Sequence, residues 1–280
     1  MAEPLRLDIA LVERDLVKSR TRAKTLIEKG EVLLNQKVCK KAAHPVLPTD
    51  CLQVEDTCRF VSRGGYKLLK ALEAFSVSLN GLCCLDVGAS TGGFTDCMLQ
   101  HGADTVYAVD VGTNQLAQEL RANPKVVCRE QYNFRYAKQE DFEKPLQFAC
   151  VDVSFISLSL IVPVLSSLLE ENATAVCLIK PQFEAGKGNV GKNGIVKNKK
   201  VHLQVLKTIT AMMNQNGFSV LGVTFSPIKG GNGNIEYLAY IQKDLQGSMV
   251  SPLQLQQIVD EAEDGYRRNR NESSADYQTG

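Results

Sequence analysis

Four charged residues stand at or beside the ends of apolar runs. Asp86 lies within the run 82–87, Asp110 follows 105–109, Asp152 follows 146–151, and Lys180 follows 174–179. Short continuous apolar runs are what strands buried on both faces of a parallel sheet look like. In an open sheet of that kind, ligands collect beyond the carboxyl ends of the strands, so these four side chains are expected on one rim. A lysine directly after a buried strand has no routine packing role. Beside an acid it can move a proton or stabilise developing negative charge, although capping solvent-facing sheet ends is the structural alternative.

Between the first and second runs lies Gly88-Ala-Ser-Thr-Gly-Gly-Phe94, before an amphipathic segment. Glycines there permit tight geometry or close ligand approach. Asp110, 24 positions after Asp86, is placed to meet a ribose hydroxyl pair. The spacing is neither the dinucleotide fingerprint nor a phosphate loop with Gly-Lys-Ser/Thr. A cofactor with an adenosine ribose and no pyrophosphate fits, and S-adenosylmethionine is the common one. From this pattern alone a methyltransferase, another nucleotide site and a purely structural glycine turn all stay open. The loop 88–93, flanked by Asp86 and Asp110, is a candidate cofactor cradle, with Asn133 after the short strand 124–128 as a further candidate.

The elements that must carry these groups fit an α/β chain of 280 residues with 44% hydrophobic content, enough for one large or two modest domains. Helices are expected over 67–75, 113–121, 158–169 and 201–214, and further strands over 217–225 and 235–241. The glycine- and lysine-rich connection 182–200 reads as mobile without substrate. A small amphipathic helix is expected within 244–264, with 267–280 disordered. The nine cysteines read as free thiols of a reducing cytoplasm. No Cys/His grouping has zinc spacing, no run reaches transmembrane length, and no signal-type apolar core opens the chain. A cytoplasmic protein without a structural metal or integral membrane segment is expected.

Formal charge is only +1, but residues 1–70 hold 14 Lys/Arg against 9 Asp/Glu. Leu5, Ile9, Val12 and Leu16 predict a helix over 5–15, and Ser19 is a plausible cap for a second over 20–29. Gly30 stops it, and 31–38 reads as strand, turn at Asn35-Gln36, strand. Arg6, Arg14, Lys18, Arg20, Arg22, Lys24, Lys37, Lys40 and Lys41, with Arg63 in the junction Ser62-Arg-Gly-Gly65, are candidate phosphate-backbone contacts. A solvated charged surface is the plain alternative. Arg6-Leu-Asp-Ile-Ala-Leu-Val-Glu-Arg14, Ser19-Arg-Thr-Arg-Ala23 and Ile27-Glu-Lys-Gly-Glu-Val32 resemble the small RNA-binding module of a small-subunit ribosomal protein, pseudouridine synthases and tyrosyl-tRNA synthetases. The resemblance implies that the second helix and following loop face RNA.

The order of motifs over about 5–242 resembles the TlyA family of ribosomal RNA 2′-O-methyltransferases, whose catalytic domain is similar to FtsJ/RrmJ enzymes. The resemblance rests on Val61-Ser-Arg-Gly-Gly-Tyr-Lys-Leu68, Leu85-Asp-Val-Gly-Ala-Ser-Thr-Gly-Gly-Phe-Thr-Asp96, Asp152-Val-Ser-Phe-Ile-Ser157 and Lys180-Pro-Gln-Phe-Glu-Ala-Gly186. It implies a Rossmann-like methyltransferase sheet behind a small α+β RNA-binding domain. The expected divisions are 1–58, a linker 59–66, a catalytic domain 67–245 and an extension 246–280. It also implies S-adenosylmethionine as cofactor on Gly88, Ser90, Thr91, Gly92, Gly93, Phe94 and Asp110, cytidine in ribosomal RNA within ribosomal subunits as substrate, and Lys67, Asp152, Lys180 and Glu236 as the catalytic set. Lys180 would take the 2′-hydroxyl proton or stabilise the oxygen, Asp152 would orient it, Lys67 would supply a second cation, and Glu236 would position a lysine. Without context, a solvated surface role is the plain reading of Lys67. Lys197-Asn198 departs from the Arg-Asp common in relatives, which bears on substrate choice by the loop. A ribosome-assembly protein without turnover, and the haemolysis attached to the family name, are the alternatives. The site nucleotide, the subunit and the oligomeric state are not encoded legibly.

Overall fold

A computed structural model describes residues 4–17, 19–54, 59–244 and 247–275, with the side chains at 29, 187, 231 and 267–275 excepted. The chain forms two compact units, residues 1–59 and 60–280. In the first, β1 (Leu5–Arg6) leads into α1 (Leu7–Glu13) and α2 (Arg20–Lys29), followed by β2 (Val32–Leu34), β3 (Lys37–Val38), β4 (Pro45–Val46) and β5 (Leu52–Val54). The Ser19 hydroxyl accepts the Arg22 amide at 3.2 Å, capping α2 as its sequence predicts. Asn35 and Gln36 both take positive φ, 49° and 66°, in the two-residue turn between β2 and β3.

The expected apolar stripe on the first helix is displaced. Because β1 pairs with β4, the helix starts at Leu7 and buries Leu7, Ala10 and Leu11, while Leu5 and Leu16 are exposed. Asp8 is fully buried beside them and is held by two arginines, Arg6 Nε at 2.9 Å and Arg20 Nη2 at 3.0 Å. Three of the candidate RNA contacts therefore have internal work as well: Arg6 and Arg20 on Asp8, and Arg14, which donates to the carbonyls of Asp50 and Leu47. Lys24, Lys37, Lys40 and Lys41 are exposed, Arg22 is half-buried, and Lys18 lies outside the described residues.

The second unit is a doubly wound α/β layer structure. Its elements are α3 (Gly64–Ala74), β6 (Cys83–Val87), α4 (Gly93–Gln100), β7 (Thr105–Val109), α5 (Gln118–Arg121), β8 (Val126–Arg129), β9 (Leu146–Val151), α6 (Val162–Leu168), β10 (Leu169–Ile179), α7 (Pro181–Glu184), α8 (Lys199–Gln215), β11 (Phe218–Phe225), β12 (Tyr237–Lys243) and α9 (Pro252–Ala275). The strand order is β11-β12-β10-β9-β6-β7-β8, parallel from β10 to β8, with β12 antiparallel to both its neighbours. Leu68, Leu72, Phe94 and Met98 pack α3 and α4 into one core, and Leu165, Leu206, Ile209 and Val259 pack α6, α8 and α9 into the other. The switch in winding direction falls between β6 and β9, which is where such sheets bind ligands.

Two expectations at the domain edges need correction. Residues 60–66 are no free linker: Phe60 is buried in the second unit, the Val61 amide donates to Asp96, and α3 already begins at Gly64. The C-terminal helix runs to Ala275, past the 267 at which disorder was expected; 276–280 lie outside the described residues. Among the described residues no helix is long and apolar enough to cross a membrane.

The Asp8 arrangement has a pH signature. The Arg6 hydrogen bond, reinforced by Arg20 and opposed by burial, holds the carboxyl below its ordinary value of 3.8. A depressed folded value means stabilisation is complete above the unfolded value and is lost as pH falls through the folded one. Asp8→Asn should therefore speed hydrogen exchange in α1 and α2 at neutral pH, with the difference from the parent shrinking below about pH 4. An equal difference at pH 3 and pH 7 would show that the Asp8 charge does not hold this unit.

Candidate active site

The candidate site begins with side chains that the sequence separates by up to 169 positions. Lys67 leaves the first turn of α3, Asp152 follows β9, Lys180 follows β10, and Glu236 immediately precedes β12. Lys67 Nζ lies 2.7 Å from Glu236 Oε2 and 3.8 Å from Asp152 Oδ2, while Lys180 Nζ lies 2.5 Å from Asp152 Oδ1. Lys180 also donates to the Ser154 hydroxyl at 2.9 Å. Glu236 is 1% exposed and each lysine 8%. Burying such groups is tolerable only when they are paired, and here two ammonium groups face two carboxylates. The surface reading of Lys67 is thereby overturned.

Asp152 also lines a neighbouring cleft of about 350 Å³, within the range of small-ligand sites. Of the candidate cofactor residues, Gly88, Ser90, Asp110 and Asn133 line it. Gly88 has φ +85°, and a Cβ there would stand 2.4 Å from the Asp152 carbonyl oxygen. The two loops at the switch point touch because that residue is glycine. Ser90, at φ 48°, turns its amide to Asp110 Oδ2 at 2.8 Å, and the Gly112 amide binds Oδ1 at 2.7 Å. An ionised carboxylate has about four acceptor positions, so Asp110 is fixed in place and keeps capacity for two hydroxyls.

The other cofactor candidates are not brought to the cleft. Asp86 is still inside β6 and points into the core, where Thr95 Oγ1 donates to it at 2.6 Å and Cys150 Sγ at 3.4 Å. Gly92, Gly93 and Phe94 are buried at the start of α4, Gly92 against Leu116 and Leu120. Thr91 is exposed, and its carbonyl accepts the Ala117 amide. Exposed Arg63 precedes α3.

Several cleft residues, Val111, Gln115, Phe134 and Ile161 among them, carry no local sequence signal, whereas Val153, Ser154, Phe155 and Ile156 belong to the motif that begins at Asp152. With Val87, Val109 and Tyr132 these complete the lining. Glu130 fixes one wall by accepting the amides of Asn114, Gln115 and Leu116 and the Arg121 guanidinium. These bonds, that of the Leu116 amide first, hold its carboxyl down at about 2. Phe155, inside the motif 152–157, has φ 63°, is 92% exposed, and stands 5.1 Å from the Phe183 ring. Among the described residues no group of His, Cys, Asp and Glu could hold a metal ion.

Asp86 and Asp110 can be separated experimentally. Burial pushes the Asp86 carboxyl up to about 6, against the opposing hydrogen bonds from Thr95 and Cys150. With the folded value above the unfolded 3.8, the Asp86 contribution is fully present below 3.8 and is lost as pH rises through about 6. Asp86→Asn should remove this component from urea midpoints measured between those pH values, while S-adenosylmethionine affinity falls less than in Asp110→Ala. An affinity loss in Asp86→Asn as deep as in Asp110→Ala would return Asp86 to the cleft.

Comparison with known proteins fits this geometry. Residues 60–243 match the FtsJ-like methyltransferase family, and residues 5–50 match the S4 domain. The chain is 47% identical over 262 residues to "Putative rRNA methyltransferase YqxC" of Bacillus subtilis, covering 92% of this chain and 93% of that one. It is 40% identical over 244 residues to "16S/23S rRNA (cytidine-2'-O)-methyltransferase TlyA" of Mycobacterium tuberculosis, covering 86% and 91%. A solved structure named "Putative hemolysin" from Streptococcus thermophilus superposes with a TM-score of 0.79 at 44% identity, over 97% of this chain and all of that one. With its seven-stranded mixed sheet and N-terminal S4 domain, the chain belongs to the FtsJ-like methyltransferase family.

Proposed function

We propose that this protein methylates the ribose 2′-hydroxyl of a cytidine in ribosomal RNA, using S-adenosylmethionine. The observation that carries the reading is the lysine–carboxylate cluster abutting the cleft through Asp152. A ribose hydroxyl is a weak nucleophile until its proton leaves or its developing charge is stabilised. S-adenosylmethionine, when bound, supplies a methyl on a positively charged sulfur that keeps the bonding electron pair. The Asp110 carboxylate would accept the cofactor's ribose hydroxyls, and Gly88 and Ser90 would let its backbone approach. Lys180, steered by Asp152 and Ser154, meets the substrate oxygen. Lys180 would pass one ammonium proton to Asp152 and take the hydroxyl proton in its place, while an oxygen electron pair forms the new O–CH3 bond. Lys67 and Glu236 hold the far side of Asp152 in place.

The S4 domain supports an RNA substrate, and the exposed ring of Phe155 offers an aromatic face of the kind on which unstacked bases rest. Cytidine and the ribosomal context come from the naming of relatives such as the Mycobacterium tuberculosis protein. A ribosomal substrate places the protein in the cytoplasm.

Incubating the purified protein with labelled S-adenosylmethionine and unmodified ribosomal subunits, followed by nucleoside mass spectrometry, tests the reading. The expected product is 2′-O-methylcytidine. Lys180→Ala should lower transfer by about a hundredfold or more while cofactor affinity changes little. A base-methylated product rejects the ribose assignment, and no product on either subunit points instead to an RNA-binding protein without turnover.

A further inference from the structure

The glycine- and lysine-rich connection between α7 and α8 is tied to the segment that delivers Glu236. Asn234, two residues before Glu236, is 2% exposed. Its side-chain Oδ1 accepts the Val196 amide at 3.1 Å, and its Nδ2 donates to the Gly194 carbonyl at 2.8 Å. One amide group thus grips both sides of the buried end of the connection. The Asn234 carbonyl in turn accepts the Gly230 amide at 2.9 Å, closing a turn that packs directly on the carboxylate. A Cβ added to Gly230 would stand 1.9 Å from Glu236 Oε1.

A second route joins the same two places. His202 Nε2 lies 2.9 Å from the Val196 carbonyl, and His202 Nδ1 lies 3.0 Å from the hydroxyl of Tyr237, the residue after Glu236. Residues 194–196 are therefore tied to both sequence flanks of Glu236, directly to Asn234 and through His202 to Tyr237. Across the strands, the Ser226 amide donates to the Glu236 carbonyl at 2.9 Å and fixes the backbone from which the carboxylate projects.

We propose that Asn234 is a positioning residue which couples docking of the 185–198 connection to the placement of Glu236 on Lys67; this rests on the preceding functional reading. A side-chain amide offers a donor and an acceptor in one plane, which is what the Gly194 carbonyl and the Val196 amide require. Alanine leaves both backbone groups without this partner, the Val196 amide in a buried place and the Gly194 carbonyl in a half-buried one. Aspartate keeps the acceptor for Val196 but sets a second acceptor against the Gly194 carbonyl. When the connection is docked, Asn234 is fixed, the 230–234 turn closes, and Glu236 is confined to the Lys67 ammonium. When it lifts, that confinement is released. The lysine–carboxylate cluster is thus completed while the connection lies in place, the kind of supporting contact that sets a reactive group's precision.

The test uses the full chain with Asn234→Ala, Asn234→Asp and Glu236→Gln. With ribosomal subunits as substrate, both Asn234 variants should lower kcat about tenfold and change KM and S-adenosylmethionine affinity by less than about twofold. In a Glu236→Gln background, Asn234→Ala should add little, because the group it positions is already disabled. Fully multiplicative losses, or a loss confined to KM, overturn the coupling. So does a parallel loss of cofactor affinity, which would report general disruption. Hydrogen exchange gives a readout independent of turnover: both variants should lose protection jointly over 190–198 and 226–240. Loss confined to 190–198 also overturns the coupling. If the parent transfers no methyl group, the substrate reading fails, while the exchange result still decides whether Asn234 joins the two segments.

Discussion

Asp152 lies between two almost fully buried lysines, and the architecture around it follows from the cost of that arrangement. An ammonium group moved out of water must find a counter-charge, and removing one member of such a set leaves the rest uncompensated. Asp152 faces Lys180 with one carboxylate oxygen and Lys67 with the other, while Glu236 supplies the second negative charge. That requirement fixes where α3 must start, where β10 must stop, and how the chain must enter β12. The same residue serves the cleft through its backbone, since its carbonyl occupies the space that a Cβ on Gly88 would need. Cofactor cleft and charged cluster therefore meet at a single residue on the switch point of the sheet.

What the sequence made legible is what local rules control. Buried strands announce themselves as apolar runs, and the rim residues Asp110, Asp152 and Lys180 stand directly beyond them. The Ser19 cap and the Asn35-Gln36 turn are likewise decided by near neighbours. Asp86 has the sequence position of a strand-end acid yet is the penultimate residue of β6, where its side chain enters the core and meets Thr95. The second and third glycines of the loop resemble a ligand cradle in one dimension but form the packed start of α4.

Long-range features were hidden for a different reason. Nothing in the periodicity of α3 distinguishes Lys67 from any solvated lysine, because its partners lie just after β9 and just before β12. Glu130 holds three successive amides that follow β7, a role set by the parallel pairing of β7 with β8. In the N-terminal unit the displaced stripe on α1 reflects a strand pairing that residue spacing cannot reveal. That unit also shows why counting basic residues overstates an RNA surface: Arg6, Arg14 and Arg20 bind within the fold, while Lys24, Lys37 and Lys41 present their charge to solvent. With a formal charge of only +1 on the whole chain, attraction to a polyanion must come from such local clusters.

The shared counter-ion role of Asp152 is most directly tested by single-turnover methyl transfer at saturating S-adenosylmethionine, comparing Asp152→Asn, Lys67→Met and the double variant. If Asp152 organises both lysines as one unit, the double variant should be within about threefold of the slower single variant, because the second change removes a group already displaced. Losses that multiply across the two changes would mean that Asp152 and Lys67 act independently, and would contradict the shared role.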